Sequence, residues 1–316
     1  MLNSKPCVIL LIKICFRGDI IKNFDEIFKV AKDRNSTVAV ACAAAGHILK
    51  VAAEAVNMGI AKIILCGDQV KMQEIAKEMN IELAQFEIVN EIDEMAACRA
   101  AVSLVVSGRA DAVMKGDCDT SMIMRAVLCK ENGMRDGKKL NHIAVFEAPN
   151  YHKLMFATDC AVNIAPDFDT KIDIIENTVT ALRNLGIDKP KVALLAAKEK
   201  VDDKMPVTQE YGKMVEMHKK GERMQNCIVD GPLALDNAVS KESCEIKGIN
   251  SPVGGDADIF FCPDIEAGNI LYKSLSFITQ AKNGGVVVGA KRPAILTSRA
   301  DSTESKLISI ALSVLF

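Results

Sequence analysis

The segment 297–302 brings together chemistry that suits an anionic ligand. It reads Thr-Ser-Arg-Ala-Asp-Ser, follows a short apolar run and precedes a predicted helix at 304–315. Arginine can bind two phosphate oxygens as a fork, and Ser298 and the first helix amides can donate further hydrogen bonds. These residue types permit phosphate binding at Ser298 and Arg299, but the local pattern by itself favours an ordinary N-capping turn, since Asp301, Ser302 and Thr303 are all good caps.

A second polar segment, 115–121, follows a predicted strand at 110–114 and reads Lys-Gly-Asp-Cys-Asp-Thr-Ser. Lys115, Thr120 and the helix amides could face a ligand at the carboxyl end of that strand, where α/β proteins bind ligands. The order GxxxxGK[ST] is absent, so triphosphate hydrolysis has little support. A surface turn with Asp119 as helix N-cap explains the pattern about as well.

A third segment, 263–273, reads Pro-Asp-Ile-Glu-Ala-Gly-Asn-Ile-Leu-Tyr-Lys after the apolar run 259–262. This order predicts a buried strand, an acidic turn and the start of a helix, where unpaired N–H groups attract anions. The turn Asp230-Gly231-Pro232 after an apolar run is common structural punctuation.

The elements that must position these segments alternate along the chain. Predicted strands and helices follow each other from residue 37 to 114, which favours a parallel sheet covered by helices on both faces, and strands alternate with helices again beyond residue 141. A polar, glycine-bearing stretch at 130–141 indicates a crossing between domains. We predict one α/β domain from 1–137 plus 286–316 and a second from 138–285.

Composition narrows the function classes. A chain of 316 residues with 49% hydrophobic residues can fold as two domains, and a net charge of -2 gives no broad cationic surface for nucleic acid. The eleven cysteines are dispersed without a CxxC pair, which favours reduced thiols in the cytoplasm. The four histidines form no HExxH motif, so a metal-dependent mechanism is disfavoured.

The N-terminal apolar run from Val8 to Ile12 is interrupted by Lys13, so it is too short to span a bilayer. Because the first convincing amphipathic helix begins near Phe24, we hypothesise that residues 1–20 lie outside the natural start of the protein. Mass spectrometry of the native N-terminus tests this hypothesis.

The string 253–273 as a whole resembles the phosphate acetyltransferase and phosphate butyryltransferase family. Val-Gly-Gly-Asp-Ala-Asp, the apolar run and Pro-Asp-Ile-Glu-Ala-Gly-Asn carry this resemblance. It extends over roughly residues 24–316, and two segments look more like the butyryl branch than the acetyl branch. Further matching segments are 146–153 and 159–166, of the butyryl type, and 206–208, 230–238 and 251–254. The resemblance implies two three-layer α/β/α domains with a cleft between them, an isocitrate dehydrogenase-like architecture.

The resemblance also implies roles for site residues. Ser298 and Arg299 match a pair in the active cleft of the family, where Arg299 would stabilise phosphate and the developing charge. Many acetyltransferase members carry an acidic base seven positions beyond the serine, but position 305 is serine. Asp301 or Glu304 could replace it, so the identity of the base stays open. The residues implied to contact CoA or phosphate are Lys115, Gly116, Thr120 and Arg125, with Asn269 and Lys273 as secondary contacts.

The implied activity is reversible transfer of an acyl group, butyryl in the more similar branch, between CoA and orthophosphate. Acyl-CoA and phosphate would be substrates, with no cofactor or metal, and a homo-oligomer acting with an acyl-phosphate kinase is expected. Direct attack in a ternary complex competes with a covalent intermediate on Cys118, which follows Lys115 near a helix start. Other function classes are phosphate acetyltransfer or broader short-chain acyl transfer, a metal- and NAD-dependent hydroxy-acid dehydrogenase of the same fold, and a non-catalytic CoA-binding protein.

Overall fold

The structure, a computed structural model, describes residues 21–298 and 300–316. The predicted N-terminal extension, residues 1–20, and Arg299 lie outside these residues. The helices are α1 Phe24–Asp33, α2 Gly46–Asn57, α3 Gln69–Met79, α4 Glu94–Val106, α5 Thr120–Val127, α6 Phe168–Asn184, α7 Pro206–Lys219, α8 Leu235–Val239, α9 Lys241–Lys247, α10 Ile265–Lys273 and α11 Thr303–Ser313, with a 3-10 turn at Leu83–Gln85 and a π-helical turn at Ser274–Ile278. The strands are β1 Thr37–Ala41, β2 Lys62–Gly67, β3 Glu87–Asn90, β4 Ala112–Lys115, β5 Asn141–Glu147, β6 Met155–Thr158, β7 Lys191–Leu195, β8 Ile228–Leu233, β9 Ile259–Phe261, β10 Lys282–Val288 and β11 Ala294–Ile295.

The strands form one eleven-stranded sheet in the order β3-β2-β1-β4-β11-β10-β5-β6-β9-β7-β8. The predicted α/β class is confirmed, and β1 to β4 pair in parallel as the alternating pattern predicts, but the centre of the sheet is antiparallel. There β10 pairs antiparallel with β5 and β11, and β5 pairs antiparallel with β6. The β5–β6 and β10–β11 connections, 148–154 and 289–293, are too short for a crossover helix, so both pairs must turn back on themselves.

The two faces of the sheet are covered differently. In β5, Ile143 and Val145 belong to one large core that also takes in β1, β7 and helices α1, α2, α6 and α11. The alternate residues Ala144 and Phe146 belong to a smaller core near α10. On the same face, Val287 belongs to a separate core with α4 and α5. One face therefore carries a continuous core, whereas the other carries two cores with a gap between them over the central strands.

The helix α11 lies against β10, α1 and α2 and is almost wholly enclosed. Its side chains are buried from Ser305 to Leu315. A helix buried on all sides anchors the chain segment before it, because displacing that segment would expose apolar surface.

One predicted domain boundary lies in a connection between elements and the other lies inside a strand. Residue 137 lies in the stretch between α5 and β5, whereas the boundary at residue 285 falls inside β10. The division into two domains stays a prediction. Within the described ranges, no helix is both long and apolar enough to cross a membrane.

Candidate active site

Two adjoining cavities occupy the gap between the two smaller cores, and together we call them the cleft. Their volumes are about 470 Å³ and 130 Å³. Residues from three chain segments line both cavities, which places them at the junction. These shared residues are His142, Ala161, Leu296, Thr297 and Ser298.

Lys115 and Thr120 line the larger cavity, as their prediction as substrate-binding residues requires. Lys115 ends β4 and is buried, and its Nζ donates to the carbonyl of Cys118 at 3.2 Å. Asp119 takes the N-cap position of α5 but makes no capping hydrogen bond with its side chain. Capping therefore does not account for this segment.

Gly116 and Arg125 are placed differently from Lys115. A Cβ on residue 116 would lie 2.2 Å from the carbonyl oxygen of Ala41, so only glycine lets the loop pass against the end of β1. Arg125 is exposed on α5 and is not among the residues that line the cleft. The structure thus gives Gly116 a packing role and brings Lys115, but not Arg125, to the cavity wall.

Ser298 and Asp301 form a tight turn after β11, which pairs in parallel with β4 and so brings this turn beside the Lys115 segment. The backbone N–H of Ser298 donates to the Asp301 carboxylate at 2.7 Å, and Ser298 Oγ accepts from the N–H of Ala300 at 3.3 Å. Ser302, not Asp301, caps α11 by accepting from the N–H of Ser305 at 3.0 Å. The Asp301 carboxylate therefore stabilises the turn that carries Ser298. Arg299, between them, lies outside the described residues.

A buried lysine behind this turn was not anticipated from the sequence. Lys306, on α11, is 3% exposed, and its Nζ donates to the Asp301 carbonyl. Burial lowers the pKa of Lys306, while the Asp301 carboxylate opposes the shift. A lysine in a helix is usually read as solvated, so only the enclosure of α11 reveals this one. Lys115 and Lys306 place two positive charges beside the cleft.

The third wall is α10, which carries Asn269 and Lys273. Asn269 Nδ2 donates to the carbonyl of Cys160 at 3.2 Å, and Lys273 Nζ lies 4.8 Å from the Tyr272 ring centroid. Asp264 caps this helix by accepting from the N–H of Ala267 at 2.9 Å, so its N-terminus is already occupied. The structure therefore does not favour an anion site at the N-terminus of α10. The side chains of this helix that line the cleft are instead Asn269 and Lys273, further along it.

His142, in β5, forms part of the cleft floor and was also missed. It is 9% exposed, lines both cavities, and its Nδ1 is buried without a hydrogen-bond partner. The neighbouring Asp159 carboxylate accepts the backbone N–H of His142 at 3.2 Å and those of Ala161 and Val162 at 3.0 and 3.1 Å. The strand alternation of 142, 144 and 146 is the signal that could have placed His142 on this face.

The sequence also suggested Glu304 as a base and Cys118 as a nucleophile, and the structure shows the surroundings of both. Glu304 pairs with Lys282 at 3.3 Å, is half exposed and is not among the cleft-lining residues. Cys118 lines the larger cavity but is only 2% exposed.

Cys118 also belongs to a buried cluster of three cysteines. Its Sγ lies 3.8 Å from that of Cys98, which lies 3.8 Å from that of Cys42. Burial together with neighbouring thiols raises the pKa of Cys42 and Cys98, with hydrogen bonds from Cys118 first among the causes. The three ligand atoms are close enough to bind one metal ion, which sequence spacing could not show because they come from separate elements.

Comparison with known proteins identifies relatives of this chain. The family model described as phosphate acetyl/butaryl transferase matches residues 23–98 and 94–314. Phosphate butyryltransferase of Clostridium acetobutylicum is 45% identical over 93% of this chain and 98% of the relative. Phosphate acetyltransferase of Thermotoga maritima is 38% identical over 92% of this chain and 99% of the relative.

A solved structure gives the same result for the fold. The branched-chain phosphotransacylase of Enterococcus faecalis V583 is 36% identical, with a TM-score of 0.80, covering 89% of this chain and 98% of that one. The chain belongs to the phosphate acetyl/butyryl transferase family.

Proposed function

We propose that this protein transfers a short-chain acyl group, butyryl in the first instance, reversibly between CoA and orthophosphate. The observation that carries the proposal is the cleft itself. The Ser298 turn, Lys115 and Thr120 line one cavity of about 470 Å³ at the carboxyl ends of the paired strands β11 and β4. Its charge and hydrogen-bond donors suit two anionic substrates, and the 45% identical relative is a phosphate butyryltransferase.

The chemistry asks for the residues that the cleft supplies. A phosphate oxygen attacks the thioester carbonyl, so both anions must be held in line while their repulsion is offset. Lys115 and Lys306 provide a positive field, and Arg299 is proposed to bind the phosphate. Ser298 Oγ, on the exposed side of its turn, is proposed to donate to the oxyanion that forms at the carbonyl. Direct attack in a ternary complex remains our preferred mechanism over a Cys118 intermediate.

Preference for one acyl-chain length rests on small differences in binding free energy. One methylene changes transition-state binding by only about 1–3 kcal/mol, and similar relatives include both butyryl- and acetyltransferases. A thiol-release assay with acetyl-, propionyl-, butyryl- and branched acyl-CoA, with and without phosphate, ranks the substrates. We expect release to require phosphate and to be fastest with butyryl-CoA.

The same assay separates the other function classes. Faster release with acetyl-CoA would replace butyryl by acetyl transfer, and thiol release independent of phosphate would contradict the proposal. CoA binding without release would indicate a binding protein. Reduction of NAD in the presence of a hydroxy acid would indicate a dehydrogenase.

We further propose a cytoplasmic homo-oligomer in butanoate metabolism that passes its acyl phosphate to an acyl-phosphate kinase. Acyl phosphates are high-energy anhydrides, so a kinase that captures the phosphoryl group is the chemically natural consumer. Light scattering of the purified protein measures the oligomeric state, and a coupled assay with ADP tests the transfer.

A further inference from the structure

The position seven residues beyond Ser298 is Ser305, so the residue that moves a proton in this chain must be sought elsewhere. Transfer between CoA and phosphate needs such a group. In the direction of acyl-CoA synthesis the CoA thiol must lose its proton before the thiolate can attack the carbonyl of the acyl phosphate. In the opposite direction the departing thiolate must gain one.

Three carboxylates on the Ser298 side of the cleft already have other partners, whereas Asp119, which also lines the larger cavity, is exposed to solvent. Asp301 accepts the backbone N–H of Ser298, and Glu304 pairs with Lys282. Asp159 accepts three backbone N–H groups on the 159–163 turn and a hydrogen bond from Asn163 Nδ2. Each carboxylate therefore holds local structure, and none of the three offers a free pair of oxygens to a thiol.

His142 differs from all of them. It lies on the cleft floor at the junction of both cavities, and its Nδ1 has no hydrogen-bond partner. Buried imidazole nitrogens are normally paired, so an orphaned one in a ligand cleft points to a partner that arrives with the substrate. Ser298 lines the same two cavities, which places the two side chains on one reaction chamber.

The sheet is built to admit this imidazole. In β10, Asn283, Gly285 and Val287 share the cleft face with His142, and Val287 is its direct partner across the strands. A Cβ on residue 285 would lie 2.5 Å from Nε2 of His142, so glycine leaves the space that the ring fills. The Tyr272 ring lies edge-on, 6.2 Å away between centroids, and fixes the ring from the α10 side.

On the basis of the proposed function, we propose that His142 is the catalytic residue that carries the proton between the CoA sulfur and the phosphate oxygen. In acyl-CoA synthesis the imidazole accepts the thiol proton, and the thiolate pair forms the C–S bond. The C–O bond of the acyl phosphate then breaks, and the imidazolium returns the proton to the departing phosphate. In the reverse direction hydrogen phosphate gives up its proton to His142 as C–O forms, and the departing thiolate receives it. No oxidant, metal or further reactant is needed.

The surroundings keep the ring in the form that this role requires. Burial lowers the pKa of His142, and Lys273 lowers it further, while Asp159 and Asp301 oppose the shift. The neutral imidazole therefore predominates at neutral pH, ready to accept a proton. The groups that face His142 from the packed elements are Asp159 and Cys160 after β6, Tyr272 and Lys273 on α10, and Asp301 before α11.

The test compares His142→Gln and His142→Ala with the unaltered protein in acyl-CoA synthesis and in phosphorolysis. We expect kcat to fall by about 10² to 10⁴-fold while KM for phosphate changes little. In the unaltered protein, acyl-CoA synthesis should fall on the acid side, at a pH below the ordinary imidazole pKa of about 6.5, because the pKa of His142 is lowered. That acid limb should vanish in both variants, and added imidazole should restore part of the rate of His142→Ala.

Matched measurements distinguish a catalytic role from a structural one. Asp301→Asn should slow the enzyme but keep the acid limb, whereas Gly285→Ala, which crowds the ring, should act on kcat like the His142 variants. A folded His142→Gln protein that keeps kcat within about tenfold, or that keeps the acid limb at the same pH, would overturn the proposal. If the unaltered protein releases no thiol from any acyl-CoA with phosphate, the proposed function itself fails.

Discussion

At the scale of single residues, the cleft separates side chains that face substrate from side chains that hold the frame. Lys115, Thr120 and Ser298 reach the cavities, whereas Gly116 allows a close backbone contact. Residue types alone could not make this distinction, because glycine and threonine in one loop look equally suited to a phosphate. The structure makes the distinction because the carbonyl oxygen of Ala41, at the end of β1, lies where a side chain on residue 116 would have to go.

The central residue-scale prediction concerns Arg299. Arg299→Ala should lower phosphate-dependent thiol release from butyryl-CoA by about 10² to 10³-fold, because a guanidinium fork would no longer offset phosphate charge. Steady-state kinetics with varied phosphate measures the effect, and circular dichroism checks that the variant is folded.

Arg292→Ala is the matched control for that prediction. Arg292 is exposed seven positions earlier and lines a different cavity, beside Phe316. Its removal should leave the rate nearly unchanged. An unimpaired rate in Arg299→Ala would remove that residue from the mechanism.

At the scale of elements, the acidic residues of the 253–273 string act as ties between strands. Asp256 accepts from Lys191 Nζ at 2.6 Å and pairs with Lys153 at 3.0 Å and with His152 at 2.8 Å. Asp258 pairs with Lys153 at 2.7 Å and accepts the backbone N–H of Lys191 at 2.7 Å. Asp256 and Asp258, which belong to the string that resembles the family, thus hold the start of β7 beside β9. Their contacts indicate a structural role.

The Asp256 tie predicts a pH-dependent stability. Although burial opposes the shift, hydrogen bonds from Lys191, Lys153 and His152 hold the pKa of Asp256 well below its ordinary value. A lowered carboxyl pKa contributes stability above about pH 3.9, and this contribution is lost as pH falls through the folded-state pKa. Asp256→Asn should lower the free energy of unfolding by about 1–2 kcal/mol at pH 7.

Urea unfolding at pH 7 and at acid pH measures this change, and the gap between variant and parent should narrow at the lower pH. Glu54→Gln is the control, because its pair with Lys50 is exposed and 4.0 Å long. That variant should change stability by less than about 0.5 kcal/mol. An equal loss in the free energy of unfolding in both variants would contradict the prediction that the ion pairs of Asp256 stabilise the fold more than an exposed pair does.

Much of this element level was predictable from sequence. Strand β9 lies within the predicted run 259–262, and β4 and α11 begin and end within two residues of the predicted strand 110–114 and helix 304–315, because apolar periodicity and caps mark them locally. The antiparallel centre was not, since strand direction depends on partners far apart in the chain. His142 and Lys306 were missed for the same reason, because their burial comes from α10, α11 and β10 and not from their sequence neighbours.

At the scale of the whole molecule, the continuous core on one face holds the sheet together while the other face stays divided. Leu312, in α11, is fully buried in that continuous core. Leu312→Ala should lower the free energy of unfolding by about 2–5 kcal/mol, because the cavity cannot collapse in so enclosed a helix. Thermal and urea unfolding followed by circular dichroism measure the change.

Ile246→Ala provides the comparison, since Ile246 is 78% exposed in α9. It should cost less than about 0.5 kcal/mol. A small effect of Leu312→Ala would show that α11 is dispensable for holding the cleft together.

The position of β10 and β11 in the middle of the sheet also bears on how the chain is made. These strands separate β4 from β5, yet they lie near the C-terminal end of the sequence. During translation, both halves of the sheet leave the ribosome with an unpaired inner edge and wait for residues 282–295. Exposed edges of this kind attract other strands, so we expect the nascent chain to be open to aggregation and to chaperones until residues 282–295 emerge.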